Sequence, residues 1–535
     1  MKKKASQAAE YVLAIDLGTS GCKAAIVDYF GTVHAWEFRG VETILPPGGG
    51  AEQDPEAWWR AITAACRAVV KQGVVPAGAI AAICANTQGE GTVPVDRDGK
   101  PLGNAILWMD TRGAALVRKR MSGLVNVSGY SPEKIVQYIW LTGGAPSLTG
   151  KDPVGHMLLI KQQQPDIYRR THKFLNVLDY VNFRLTGRLV STFDSIATSW
   201  LTDNRSPDRV KIDPRLCALI GIPPEKIPAP VPCTEILGGV APDFAREVGL
   251  APATPVVAGA IDATAAAVGA GTIGDGDTHL YLGTSNWFAA HVPFKKTDLL
   301  SAIASLPCAV PGKYLMIALQ ATACGNLTFL RDNLLFHRDL LYRDETPATF
   351  YQILDRLAES APPGAHGLLY TPWIYGERAP VENQSIRAGF HNLSLEHTRP
   401  DLIRAVFEGV ALNVRWLLKP VEKFLGRRCL SIAAVGGGAK SAVWCQIFAD
   451  VLDRQIRQVR NPIEANVRGS AFIAAAALGR IRFDEIPQRV AIQATYDPQP
   501  QNRRVYDLHF AEFTNLYQAE KGIHQRLNAF HHRGR

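Results

Sequence analysis

Leu17-Gly-Thr-Ser-Gly-Cys-Lys-Ala-Ala-Ile-Val27 aligns without gaps on Leu282-Gly-Thr-Ser-Asn-Trp-Phe-Ala-Ala-His-Val292, 265 residues further along the chain. The first four positions, the two alanines and the last valine are identical. The offset is about half of the 535 residues, so two like halves are expected. In the first copy the β-rich run Tyr11 to Leu17 stops at Gly18-Thr19-Ser20-Gly21, and Lys23 to Val27 resumes it: strand, tight turn, strand. The turn signal Phe30-Gly31-Thr32 then leads into a third strand, Val33 to Phe38, which predicts an antiparallel meander. Turns of Gly, Thr and Ser offer backbone N–H groups and hydroxyls together, which suits phosphate oxygens. Two such turns on related domains would grip one polyphosphate in the cleft between them.

Outward from these turns, strands and helices alternate, which predicts the α/β class. Asp54-Pro55-Glu56 opens a helix running to Lys71, with Asp as N-cap and Pro at the first helical position. A short strand, Ile80 to Ala85, runs into Asn86-Thr87-Gln88-Gly89-Glu90-Gly91. In the second half a helix from about Pro400 to Phe424 precedes the strand Leu430 to Val435, three glycines and a helix through about Leu452. The expected units are 11–275, 276–480 and a tail, 481–535, read as a helix with a frayed end at His531-His-Arg-Gly-Arg535.

Composition excludes several classes. Hydrophobic residues at 47% and charged residues at 20% belong to a globular chain and not to a disordered one. The net charge of +9 is modest for this length and comes without a basic block, so nucleic acid is not an expected partner. No apolar run is long enough for a membrane span, and Lys2, Lys3 and Lys4 are not followed by the apolar core of an export signal. Nine scattered cysteines without a Cys-x-x-Cys pair read as reduced thiols of a cytoplasmic protein. Oligomeric state is left open.

Two further segments carry chemistry. Gly436-Gly437-Gly438-Ala439-Lys440-Ser441 lies where a strand meets a helix start, so its backbone can approach a flat or anionic ligand. It is neither a P-loop nor a Gly-x-Gly-x-x-Gly fingerprint. Asp262 stands between an apolar strand and a small-residue helix, where an acid is either an N-cap or a catalytic group. A phosphoryl acceptor hydroxyl needs a base within hydrogen-bond reach, and Asp commonly serves.

In this order, Asp16-Leu-Gly-Thr-Ser20, Ile106-Leu-Trp-Met-Asp-Thr-Arg112, Gly259-Ala-Ile-Asp262, Leu282-Gly-Thr-Ser285, Gly376-Glu-Arg-Ala-Pro380 and Gly436-Gly-Gly-Ala-Lys-Ser441 resemble the FGGY family of carbohydrate kinases. The resemblance runs from about residue 11 to 480 and is greatest to the xylulokinase branch. It implies two ribonuclease-H-like, actin-like ATPase domains with a nucleotide and sugar cleft between them. It also implies ATP-dependent phosphorylation of a ketose or polyol, with Asp262 as general base and Asp16 helping to hold magnesium; Glu90 would repel an anionic acceptor, so a neutral one is expected. Gly18, Thr19, Ser20, Lys23, Gly283, Thr284 and Ser285 would lie at the phosphates, and Gly437, Gly438, Ala439 and Ser441 at the adenosine. Gln88, Glu90, Trp108, Asp110 and Arg112 would join Asp262 on the sugar side.

The departures from that family pattern fall mainly on the sugar side. Gln88-Gly89-Glu90-Gly91 stands where xylulokinases carry Gln-Met-His-Gly, Ala263 replaces an Asn after the base, and His156 falls on a family Lys. Asn286 replaces a Gly of the second hairpin, a change that a positive φ at Asn would accommodate. The alternatives are a kinase for ribulose, a tetritol or glycerol, an actin-like or chaperone-type ATPase, and a nucleotide-sensing pseudokinase. The short tail speaks against the chaperone, and retention of Asp16, Asp262 and both hairpins against the pseudokinase.

Overall fold

The computed structural model describes residues 10–335, 347 and 349–531; residues 1–9 and the tail end beyond 531 lie outside the described residues. Val12 to Ile15 are wholly buried, as an apolar run can be only in an inner strand covered on both faces. Strand β1 (Tyr11–Gly18) accordingly sits inside a six-stranded sheet. Its partners are β2 (Gly21–Asp28), β3 (Val33–Gly40), β4 (Ile80–Thr87), β5 (Ile236–Gly239) and β6 (Pro255–Ile261), in the order β5-β6-β4-β1-β2-β3. The first three form the expected antiparallel meander, and β4 and β6 extend it in parallel.

The second sheet repeats this plan. It contains β7 (Thr278–Leu282), β8 (Asn286–Val292), β9 (Thr297–Asp298), β10 (Ile303–Pro307), β11 (Tyr314–Gln320), β12 (Ser431–Val435), β13 (Gln455–Val459) and β14 (Ile492–Tyr496). Their order is β9-β10-β11-β8-β7-β12-β13-β14. Strands β7, β8 and β11 are an antiparallel meander, β12 and β13 continue in parallel, and an antiparallel strand closes the edge, as β5 does in the first sheet. The duplication read from eleven residues therefore extends through both sheets.

Two expectations need correction. The tail is not only a helix: Ile492–Tyr496 is the edge strand of the second sheet, and only then does the chain enter the helix Arg503–His531. Asn286 does not occupy a positive-φ turn position; it is the first residue of β8, and its Nδ2 donates to Gln320 Oε1 at 2.7 Å. Helix α1 (Pro55–Lys71) follows the reading, with the Asp54 side chain accepting from the Glu56 amide.

The halves meet through α2 (Asp262–Gly269) and α6 (Ala465–Ala477); between them in sequence lie α3 (Cys324–Leu330), α4 (Arg399–Leu425) and α5 (Ala442–Leu452). A Cβ on Gly469 would lie 1.9 Å from the Ala265 carbonyl oxygen, and one on Gly269 1.8 Å from that of Ala465. Backbone touches backbone here, so only glycine fits. Gly469→Val is expected to cost on the order of 3 kcal/mol through overpacking and to lower the thermal midpoint. Gly78→Ala, whose added carbon meets nothing within 4 Å, is the control that should leave the midpoint in place.

Candidate active site

Asp16 near the end of β1 acts electrostatically on Tyr281 near the end of β7, so the two strand ends adjoin. Asp16 lies opposite Lys23 in the β1–β2 ladder, so both side chains emerge on one face. Lys23 Nζ donates across the halves to the Ile463 carbonyl at 3.0 Å, and Asn466 Nδ2 stands 3.5 Å from Asp16 Oδ1. Burial raises the Asp16 carboxyl, with Lys23 and Asn466 working against it.

The two turns differ in their tethers. Thr19 donates its hydroxyl to Gln88 Oε1 at 2.8 Å and accepts from Trp108 Nε1 at 3.1 Å. Gln53 Nε2 donates to the Thr19 carbonyl at 2.7 Å, and Gln88 Nε2 donates to Gln53 Oε1 at 3.1 Å. These groups thus brace the first turn. In the second turn the carbonyls of Gly283 and Thr284 accept from Cys324, Ala323 and Gly325 at the start of α3. Among the described residues nothing accepts from the backbone N–H groups of Thr19, Ser20, Thr284 or Ser285. Four amides in the two turns are therefore available to an anion.

The sugar-side set is partly self-satisfied. Asp110 is wholly buried; its Oδ2 accepts from the Ala51 amide at 2.9 Å and Arg112 Nη2 at 2.6 Å, and its Oδ1 from the Arg112 amide at 2.9 Å. Arg112 Nη2 also reaches Glu52 Oε1 at 2.6 Å. Asp110 thus orients Arg112, whose side chain stays partly exposed. Glu90, half-buried and at φ 60°, lies three residues beyond the end of β4; burial raises its carboxyl, while Arg378 and Lys151 oppose that rise. His156 is buried and pushed down to about 4, so it is neutral near pH 7, with Nδ1 3.1 Å from Thr92 Oγ1.

Asp262 is the first residue of α2, and Ile261 is the cap residue, so Asp262 is not the N-cap. Its Oδ1 accepts from the Ala263 amide at 2.8 Å, and no described residue engages Oδ2. Burial first, then the charge of Asp16, then Glu90 and Asp194 push the carboxyl up to about 7 against the Ala263 hydrogen bond. Tyr281 faces the same acids from the second half: its ring stacks on Trp287 at 3.9 Å, and burial with Asp16 and Asp262 drives its phenol upward. The sequence held no local signal for Tyr281, a plain strand residue.

The glycine segment adjoins the second turn, since a Cβ on Gly436 would lie 2.7 Å from the Leu282 carbonyl and one on Gly438 2.9 Å from Cys324 Sγ. Gly437 is exposed with open space at its Cα. Ala439 is buried and its carbonyl accepts from Gln458 Nε2 at 2.7 Å. Ser441 caps α5, accepting from the Trp444 amide at 3.0 Å and donating to Asp355 Oδ1 at 2.7 Å. Its hydroxyl is thus occupied within the fold, and Gly437 presents the open backbone.

Known proteins share this design. The family model described as the FGGY family of carbohydrate kinases, N-terminal domain, matches residues 11–269, and that of the C-terminal domain matches 270–478. The chain is 28% identical over 529 residues to the xylulose kinase of Bacillus subtilis, covering 97% of this chain and 99% of that one. It is 25% identical over 508 residues to the same organism's gluconokinase, covering 95% of each. Gluconate kinase from Lactobacillus acidophilus superposes with a TM-score of 0.83 at 23% identity, over 97% of this chain and 100% of the other, a likeness of fold. Xylulose kinase from Rhodospirillum rubrum gives a TM-score of 0.78 at 26% identity, over 96% and 100%.

Proposed function

Because the chain belongs to the FGGY family of carbohydrate kinases, we propose that it moves the terminal phosphoryl group of ATP onto a hydroxyl of a neutral ketose or polyol, xylulose being the reference acceptor. The observation that carries this reading is the half-buried Asp262, with Oδ2 free among the described residues, beside two turns that offer unpaired amides. Asp262 Oδ2 would accept the proton of the attacking hydroxyl. The amides of Thr19, Ser20, Thr284 and Ser285 would hold phosphate oxygens, and Gly437 with Gly438 would lie against the adenosine. Arg112, fixed by Asp110 and Glu52, would donate to acceptor hydroxyls, whereas Glu90 would accept from one.

Magnesium fits this set. The charge of Asp16 raises the proton affinity of Asp262, a repulsion that a divalent cation relieves, and Asp16 would hold it with phosphate oxygens. When bound, the ion supplies neutralisation of phosphate charge.

A second acceptor class, sugar acids, has one observation in its favour. The cationic ends of Lys151 and Arg378 act on Glu90, and among the described residues neither makes a hydrogen bond or ion pair. The Glu90 carboxylate would repel such an acceptor. ADP release should therefore be followed across pentuloses, hexuloses, tetritols and gluconate. A neutral acceptor is expected to raise ATP turnover by at least ~100-fold over the sugar-free rate, because ligand binding drives closure of the cleft. Equal rates with and without sugar would mark a plain ATPase, and a preference for gluconate would establish the second class.

A further inference from the structure

We propose that Asp194 is a positioning residue for the phosphoryl-transfer base, holding the peptide that delivers Asp262; the inference rests on the reading of Asp262 as that base. Asp194 lies in the short helix Phe193–Ala197 and is 1% exposed. Its Oδ2 accepts from the backbone N–H of Ile261, the residue before Asp262, at 2.8 Å. Its Oδ1 accepts from the Thr192 hydroxyl at 2.6 Å, the Ser195 amide at 2.8 Å and Cys233 Sγ at 3.3 Å. The Cys233 carbonyl in turn accepts from the Gly259 amide at 3.0 Å.

These bonds converge on an irregularity in β6. The register of β6 on β4 shifts between Val257 and Ala260, and Gly259 there has φ +72° with a Cβ position 1.9 Å from the Ala85 carbonyl oxygen. A bulge of this kind re-aims the strand end that follows it. Asp194 and Cys233 seize the two amides on either side of the re-aimed segment, which fixes where Asp262 leaves the sheet. A buried carboxylate is costly unless hydrogen-bonded, so one spent on this junction is informative. The Asp194 carboxylate also acts on the Asp262 carboxyl, alongside Asp16 on β1 and Glu90 after β4, with Tyr281 of β7 facing from the second half; burial pushes the Asp194 carboxyl itself up, against its hydrogen bonds from Thr192, Ile261 and Cys233.

Two variants separate position from charge. Asp194→Asn keeps the shape but removes the charge and part of the accepting capacity. It is expected to lower kcat by about 10- to 100-fold with the acceptor KM within about 3-fold, and to move the acidic limb of kcat/KM to lower pH. Asp194→Glu keeps the charge but displaces it, so kcat should fall while the limb stays. An unchanged kcat and limb in folded Asp194→Asn, with only the thermal midpoint lowered, would assign Asp194 a purely structural role and overturn the proposal. Should that variant not fold, undiminished kcat in Asp194→Glu overturns it equally. Normal turnover in Asp262→Asn would instead remove the base reading itself, whereas an inactive Asp262→Asn beside normal Asp194 variants removes this inference alone.

Discussion

Asp262→Asn is expected to lower kcat by about two to four orders of magnitude while ATP binding, followed by calorimetry, stays nearly intact. The amide cannot take the acceptor's proton, yet it keeps the size of the carboxyl and an oxygen for the Ala263 amide. The unaltered enzyme should show its base in the pH profile. The Asp262 carboxyl sits near 7, so kcat/KM should rise through that value and fall about tenfold per unit below it. Stability should run the other way. A carboxyl raised in the folded state favours folding while protonated, below its unfolded value of 3.8, and loses that contribution as pH rises through about 7. Denaturant titration should therefore find Asp262→Asn more stable than the parent at pH 8, with the gain shrinking from pH 7 downward. Full activity in the variant, or a flat kcat/KM profile between pH 5 and 8, would remove Asp262 from the role of base.

The second large effect concerns the first phosphate turn. Gly18→Val should weaken ATP binding by at least ~100-fold without unfolding the protein, because bulk where a phosphate approaches excludes the ligand. A Cβ on Gly18 would meet only the Gly21 carbonyl oxygen, at 3.9 Å, so the fold has room for it. Gly283 differs: its Cβ would lie 2.6 Å from the Tyr281 ring. Gly283→Val should thus weaken ATP binding and also shift the Tyr281 ring off Trp287, visible in near-ultraviolet circular dichroism. Normal ATP affinity in either variant would refute a grip from both sides.

Much of the fold was legible because it follows from local pattern. The hairpins, the helix capped by Asp54, the strand at 431–435 and the helix at 442–452 each depend on alternation, turn residues or caps within a few positions. The duplication was legible because it lies in the order of residues itself. The edge strand Ile492–Tyr496 was not, since its five half-buried or exposed residues carry little apolar signal and only pairing with β13 makes it a strand.

The sequence by itself determined which residue types were at hand: two Gly-Thr-Ser turns, acids at 16 and 262, and an Arg with an Asp two positions before it. Tertiary structure alone decided which of their polar atoms remain available. Thr19, Gln88 and Trp108 close on one another, Asp110 is consumed in orienting Arg112, and Ser441 caps a helix, while Asp262 keeps an open oxygen. Asp194 and Tyr281 come to Asp262 from strands and helices remote in sequence. The physical reason is that a hydrogen bond or a raised carboxyl depends on what packs around the group, and burial brings together partners that no local pattern connects.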